Sequence, residues 1–185
     1  MKQGFPFSAL QFRQHASEPV VAVDLGYSAS KPTCGIAVSW EGESKAARYQ
    51  FGDAIRKVGD LCDVRPNAVL VIEAPLSGCH DGNTGNPKRR GEFETRRAWY
   101  CQPGATVALA AIRFLSDLAA RRVGKPPITL SEAFLSNKTE KTTHEADAFR
   151  IARDFWDVQV IEAADDWGSL SPLVDGIPPV RCFAL

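Results

Sequence analysis

The chain has 185 residues, 44% hydrophobic and 24% charged, which suits one ordinary globular domain with its own core. Its 22 basic and 22 acidic residues cancel, so any case for a nucleic-acid partner has to come from local clustering. No stretch reaches the ~18 consecutive apolar residues of a membrane span, and polar residues and Pro6 break the apolar run at the start, which does not resemble a signal peptide; the expectation is a cytoplasmic protein without a membrane partner.

Val20–Val23, running into Asp24-Leu25-Gly26, is a short continuous apolar run and predicts a strand buried on both faces. Cys34–Trp40 predicts a second strand, with Glu41–Ser44 as a hairpin loop. Ala47, Tyr49 and Phe51 alternate with polar residues, the pattern of a half-buried third strand. Ile55, Val58 and Leu61 then recur at helical spacing within Asp53–Cys62. Ala68–Ile72 is apolar throughout and ends at Glu73. A strand following a helix in this way predicts a crossover to a parallel neighbour.

From Leu76 to about Gln102 the chain is polar, glycine-rich and basic, and loops of such length are usually functional or mobile. Pro103 suits a helix start. Ala105–Arg122 carries Val107, Ala111, Phe114, Leu115 and Leu118 on one stripe. Ile128–Leu135 predicts a fifth strand, Thr143–Asp157 a second long helix, and Val158–Ile161 a short final strand. The core therefore spans about residues 19–160 of a single domain, and the tail 163–185 has no assigned element. The order βββαβ, helix, strand, helix predicts an α/β domain with a mixed sheet. Five scattered cysteines with no C-x-x-C pair argue against a disulfide framework or a cysteine zinc site.

Asp24 and Glu73 each terminate an apolar strand. Unpaired buried charge costs several kcal/mol, and ligands of open α/β sheets gather at the carboxyl ends of strands. If the two strands are parallel neighbours, both acids lie on one sheet edge. On the late helix, His144, Asp147, Ala148, Ile151 and Phe155 share one face, which turns Asp147 inward with His144 one turn before it. Three converging carboxylates either shift their pKa values or take a cation, and Mg2+ or Mn2+ suits oxygen donors. Taken singly, each acid has a plainer role: Asp24 in the Gly26 turn, Glu73 as a solvated strand end, Asp147 as a partner of the helix dipole. Thr142-x-x-Glu145 has capping-box spacing, which makes Glu145 structural rather than catalytic.

Asp24–Ser28 followed by Cys34–Val38 resembles the first hairpin of the RNase H-like (retroviral integrase) superfamily. Val69–Glu73 resembles its fourth strand with the catalytic Glu, and His144–Ala152 is similar to the C-terminal helix of RuvC-like resolvases and related uncharacterised predicted nucleases. The resemblance covers roughly Pro19 to Phe155. It implies a five-stranded mixed sheet in the order 3-2-1-4-5 flanked by helices, and two-metal cleavage of phosphodiester bonds. It implies Asp24 as the bridging metal ligand, Glu73 and Asp147 completing the cluster, and His144 as a fourth catalytic candidate. Dimerisation would follow by family analogy alone. The loop at Leu76–Gln102 is longer and more polar than a minimal resolvase requires.

That loop holds Lys88, Arg89, Arg90, Arg96 and Arg97 beside Phe93, Trp99 and Tyr100, with five basic and two acidic residues between Lys88 and Arg97. Basic side chains could hold the phosphates of DNA or RNA while aromatic ones stack on unpaired bases; the plainer alternative is a solvated loop. A metal-dependent nuclease is thus the first expectation. A non-catalytic RNase H-like module, keeping the acids as hydrogen-bonding groups, is the second. An actin-like phosphotransferase would need two such domains, and this length leaves room for one.

Overall fold

A computed structural model describes residues 7–9, 18–28, 30–74, 76, 103–135, 141–156 and 182–184. Seven strands and three helices are formed within these: β1 (Phe7–Ala9), β2 (Val20–Asp24), β3 (Cys34–Trp40), β4 (Glu43–Tyr49), α1 (Phe51–Val64), β5 (Val69–Glu73), α2 (Pro103–Arg121), β6 (Ile128–Phe134), α3 (His144–Asp154) and β7 (Cys182–Ala184). One sheet contains all seven strands.

The five central strands run β4-β3-β2-β5-β6, which is the order 3-2-1-4-5 when counted along the chain from β2. β2, β3 and β4 form an antiparallel meander, and β5 and β6 lie parallel to β2. β1 and β7 were not expected from the sequence. Both pair with β6 in parallel, β1 along Ile128–Leu130 and β7 along Glu132–Phe134. Each has only three residues, too few for any periodicity to register. Together they satisfy backbone groups along a sheet edge that would otherwise be open to other chains.

The hairpin differs in detail from its expected form. Its loop has two residues, Glu41 (φ 51°) and Gly42 (φ 80°), and Trp40 pairs directly with Glu43. Two left-handed residues give a turn whose twist matches that of the strands it joins. Phe51 is not in the third strand but opens α1, where its ring meets Phe114 edge-on at 5.8 Å.

The sheet has two covered faces. On one, Val21, Val23, Leu70, Ile72 and Leu130 pack with Ile55 and Val58 of α1 and Phe114, Leu115 and Leu118 of α2. On the other, Val20, Ala22, Ala37, Val69, Val71 and Ala133 pack with Ala148, Ile151, Ala152 and Phe155 at α3. Strand alternation decides which residues reach which face. Asp24 follows Val20 and Ala22, and Glu73 follows Val69 and Val71, so both acids share the α3 face.

Among the described residues, no helix is long and apolar enough to cross a membrane. The basic segment Lys88, Arg89, Arg90, Arg96 and Arg97, its aromatic neighbours, the expected strand at Val158–Ile161 and most of the tail lie outside the described residues.

Candidate functional site

Parallel pairing of β2 with β5 sets Asp24 directly beside Glu73 in register. Neighbouring strands lie about 4.8 Å apart, so the two acids stand side by side where both strands end. Each is only 7% exposed. Asp147, at 3% exposure, comes to the same face from the first turns of α3, which rests on β2, β3 and β4. The positive end of the helix dipole therefore faces two strand-end carboxylates, a favourable arrangement for buried negative charge.

Gly35 makes this approach possible. It is the β3 partner of Asp24, and the start of α3 lies directly over it. A Cβ at Gly35 would stand 1.9 Å from the backbone oxygen of His144 and 2.7 Å from the Glu145 nitrogen. Gly26 serves the imidazole in a similar way: a Cβ there would meet His144 Nε2 at 2.7 Å and the Thr33 carbonyl oxygen at 2.4 Å. His144 thus sits against the glycine turn, with Nδ1 2.9 Å from Asp24 Oδ1. Its side chain is 44% exposed, so the imidazole bridges the buried carboxylate and solvent.

The other two acids have their own partners. Glu73 Oε1 accepts a hydrogen bond from the Leu135 backbone nitrogen at 3.4 Å. Asp147 Oδ1 accepts one from the Thr142 hydroxyl at 2.5 Å. The helix cap is consequently one residue later than the Thr142-x-x-Glu145 spacing suggested. Thr143 is the N-cap, its side chain accepting from the Ala146 nitrogen at 3.2 Å. Glu145 does not reach back toward the cap but pairs with Arg48 Nε at 3.4 Å on the surface.

Thr142 and Gly35 are the contributors that sequence reasoning missed. Thr142 was read as a cap, and the adjacent Thr143 made the two assignments interchangeable. Gly35 stood in an apolar strand, where an isolated glycine signals close approach of another backbone; that signal was present. Glu132 was also missed. It is fully buried, and its Oε2 accepts from the Leu76 nitrogen at 2.8 Å. Alternation with Leu130 assigns it to the opposite face of the sheet, away from the three acids.

Cys34 adjoins the cluster, donating its thiol to the Gly26 carbonyl oxygen at 2.7 Å. Burial, helped by the negative charge of Asp24, pushes this thiol up to about 12. It remains protonated at neutral pH and is neither a nucleophile nor a thiolate ligand there.

The donor set is chemically suited to a hard divalent ion: carboxylate oxygens from two adjacent strands and one helix, with an imidazole at the rim. The side chains are not preassembled around one point. Among the described residues, no three His, Cys, Asp or Glu groups are gathered closely enough to hold a metal ion. A scan against protein-family models finds no match, and a search of curated proteins finds none.

Proposed function

We propose that the protein is a metal-dependent nuclease of the RNase H-like type, hydrolysing phosphodiester bonds of DNA or RNA with Mg2+ or Mn2+ at Asp24, Glu73 and Asp147. The observation that carries this reading is the in-register pair Asp24 and Glu73 on one buried face, with Asp147 on the helix packed over it. Two carboxylates at the ends of adjacent parallel strands, with a third on the helix above them, repel one another, and a divalent cation would relieve that repulsion. A bound divalent ion would supply Lewis acidity toward a phosphodiester oxygen.

The chain's own groups have separate tasks in this reading. Asp24 orients His144 through Nδ1, leaving the half-exposed imidazole to exchange a proton with substrate or water. Thr142 orients Asp147. The basic segment Lys88–Arg97 follows β5 in sequence and would hold the phosphates. The reading sets the protein in the cytoplasm, and a homodimer would rest on family analogy alone.

The test is a panel of branched, single-stranded and hybrid substrates with Mg2+ or Mn2+. Cleavage that falls to background in Asp24→Asn is the expected result, and no cleavage of any substrate sinks the nuclease reading while leaving the fold untouched.

One observation favours a second reading, a non-catalytic binding module. Each acid already has a partner within the protein: His144 for Asp24, Leu135 for Glu73 and Thr142 for Asp147. Calorimetry with Mn2+ separates the two, since absence of binding at millimolar concentration supports the module.

A further inference from the structure

On the opposite face from the acids, α1 and the outer hairpin enclose a groove of about 310 Å3. This volume lies at the small end of the range for small-molecule sites, which runs from about 300 Å3 upward. Its floor is apolar, made by Ile36, Val38 and Leu61, and Tyr49 and Trp40 are among its aromatic walls. Its charged groups are three cations, Lys45, Lys57 and Arg65, against one carboxylate, Glu43. Lys45 and Glu43 pair with each other at 3.3 Å. Neither Lys57 nor Arg65 has a carboxylate partner among the described residues.

The Arg65 guanidinium carbon stands 5.3 Å from the centre of the Trp40 ring. Its Nε is buried without a hydrogen-bond partner among the described residues, which costs stability. Trp40 is 45% exposed, an unusual amount of indole to leave in water. The groove also has a direction. Lys57 and Leu61 lie one turn of about 5.4 Å apart on α1, and Arg65 is the C-cap residue that follows its last turn. An aromatic platform with an arginine therefore stands at one end, and a lysine lies about two turns away.

We propose that this groove binds a nucleotide unit, with its base stacked at Trp40 and Arg65 and its phosphate held by Lys57. Stacking on an indole is tolerant of base identity, and lysine supplies a point charge for phosphate. The source is either a free nucleotide or one residue of a single strand, which present the same chemistry.

The proposal does not rest on the metal site, so binding is measured in EDTA, where loss of nuclease chemistry has no effect on the result. Calorimetry and tryptophan fluorescence follow titration with AMP, adenosine, inorganic phosphate and a short single-stranded oligonucleotide. Saturable AMP binding stronger than that of adenosine or phosphate is expected. It should weaken on the order of tenfold or more in Trp40→Ala, the size of effect that loss of one base stack produces, and also in Lys57→Glu. Arg113→Ala, on an exposed site of α2, should bind as the parent does. Tighter binding of the oligonucleotide identifies a strand as the source, and binding of AMP alone identifies a free nucleotide. The proposal is overturned if neither saturates at millimolar concentration, if phosphate alone binds as well as AMP, or if both groove variants bind unchanged.

Discussion

The two faces of the sheet are built from different materials. The face under α1 and α2 is filled with large side chains, among them Phe114, Leu115, Leu118, Leu70 and Ile72, all essentially inaccessible to solvent. The face under α3 has Val69, Val71, Ile151 and Phe155 as well, but it interleaves them with five alanines, Ala22, Ala37, Ala133, Ala148 and Ala152, and with Gly35 where α3 begins. Large side chains hold α1 and α2 away from the sheet and supply most of the apolar burial. Small ones let α3 come down onto the strands, close enough for its first turns to bring Asp147 and His144 to the strand ends. One face stabilises the domain and the other positions polar groups, at the expense of apolar area that alanine cannot provide.

The largest effect should come from the first face. Phe114→Ala removes a fully buried ring that meets Phe51 edge-on and should cost about 3–5 kcal/mol of stability. The shift in denaturant midpoint measures it. Cleavage per folded molecule should change little, because Asp24, Glu73 and Asp147 all lie on the other face. A large loss of specific activity without loss of stability would erase the distinction between the faces.

The second effect should be smaller in stability and larger in function. Gly35→Ala introduces a Cβ against backbone atoms of α3, which cannot turn aside as a flexible side chain would. Overpacking of this kind costs about 1–3 kcal/mol. The helix start has to lift, and His144 and Asp147 move with it. Activity should be lost at a stability that still leaves the protein folded, and amide exchange in the first turns of α3 should accelerate. A fully active Gly35→Ala with unchanged exchange would show that close approach of α3 does not position the site.

The same contrast explains what could be read from the sequence. Continuous apolar runs such as Val20–Val23 and Val69–Ile72 announce buried strands, and helical spacing announces α1, α2 and α3. From those elements and their order, the placement of Asp24 and Glu73 on one edge follows. The distinctions that escaped are those made by single contacts. Whether Thr142 or Thr143 caps α3 depends on about one residue of chain path, and both have the same side chain. Phe51 fits a strand alternation as well as a helix start until Phe114 is brought beside it. β1 and β7 owe their existence to pairing with β6, a tertiary effect that outweighs local preference. Glu132 sits in a strand pattern that gives no sign of the Leu76 nitrogen it accepts from.

The smallest predicted effect bears on which acid of α3 matters. Glu145 and Asp147 both lie in the first turn of the helix, but they face different surroundings. Asp147 is buried against Thr142, whereas Glu145 meets Arg48 at the surface, their side chains 40% and 53% exposed. Exposed pairs of this kind contribute roughly 0–1 kcal/mol because solvent screens them and both long side chains lose freedom in forming them. Glu145→Gln should therefore leave the denaturant midpoint almost unmoved and cleavage at the parental rate, with the Asp24→Asn variant as the inactive reference. If Glu145→Gln were as inactive as Asp24→Asn, the functional carboxylate of α3 would lie on its outer surface, and the inward-facing cluster would lose the member that distinguishes this face from the other.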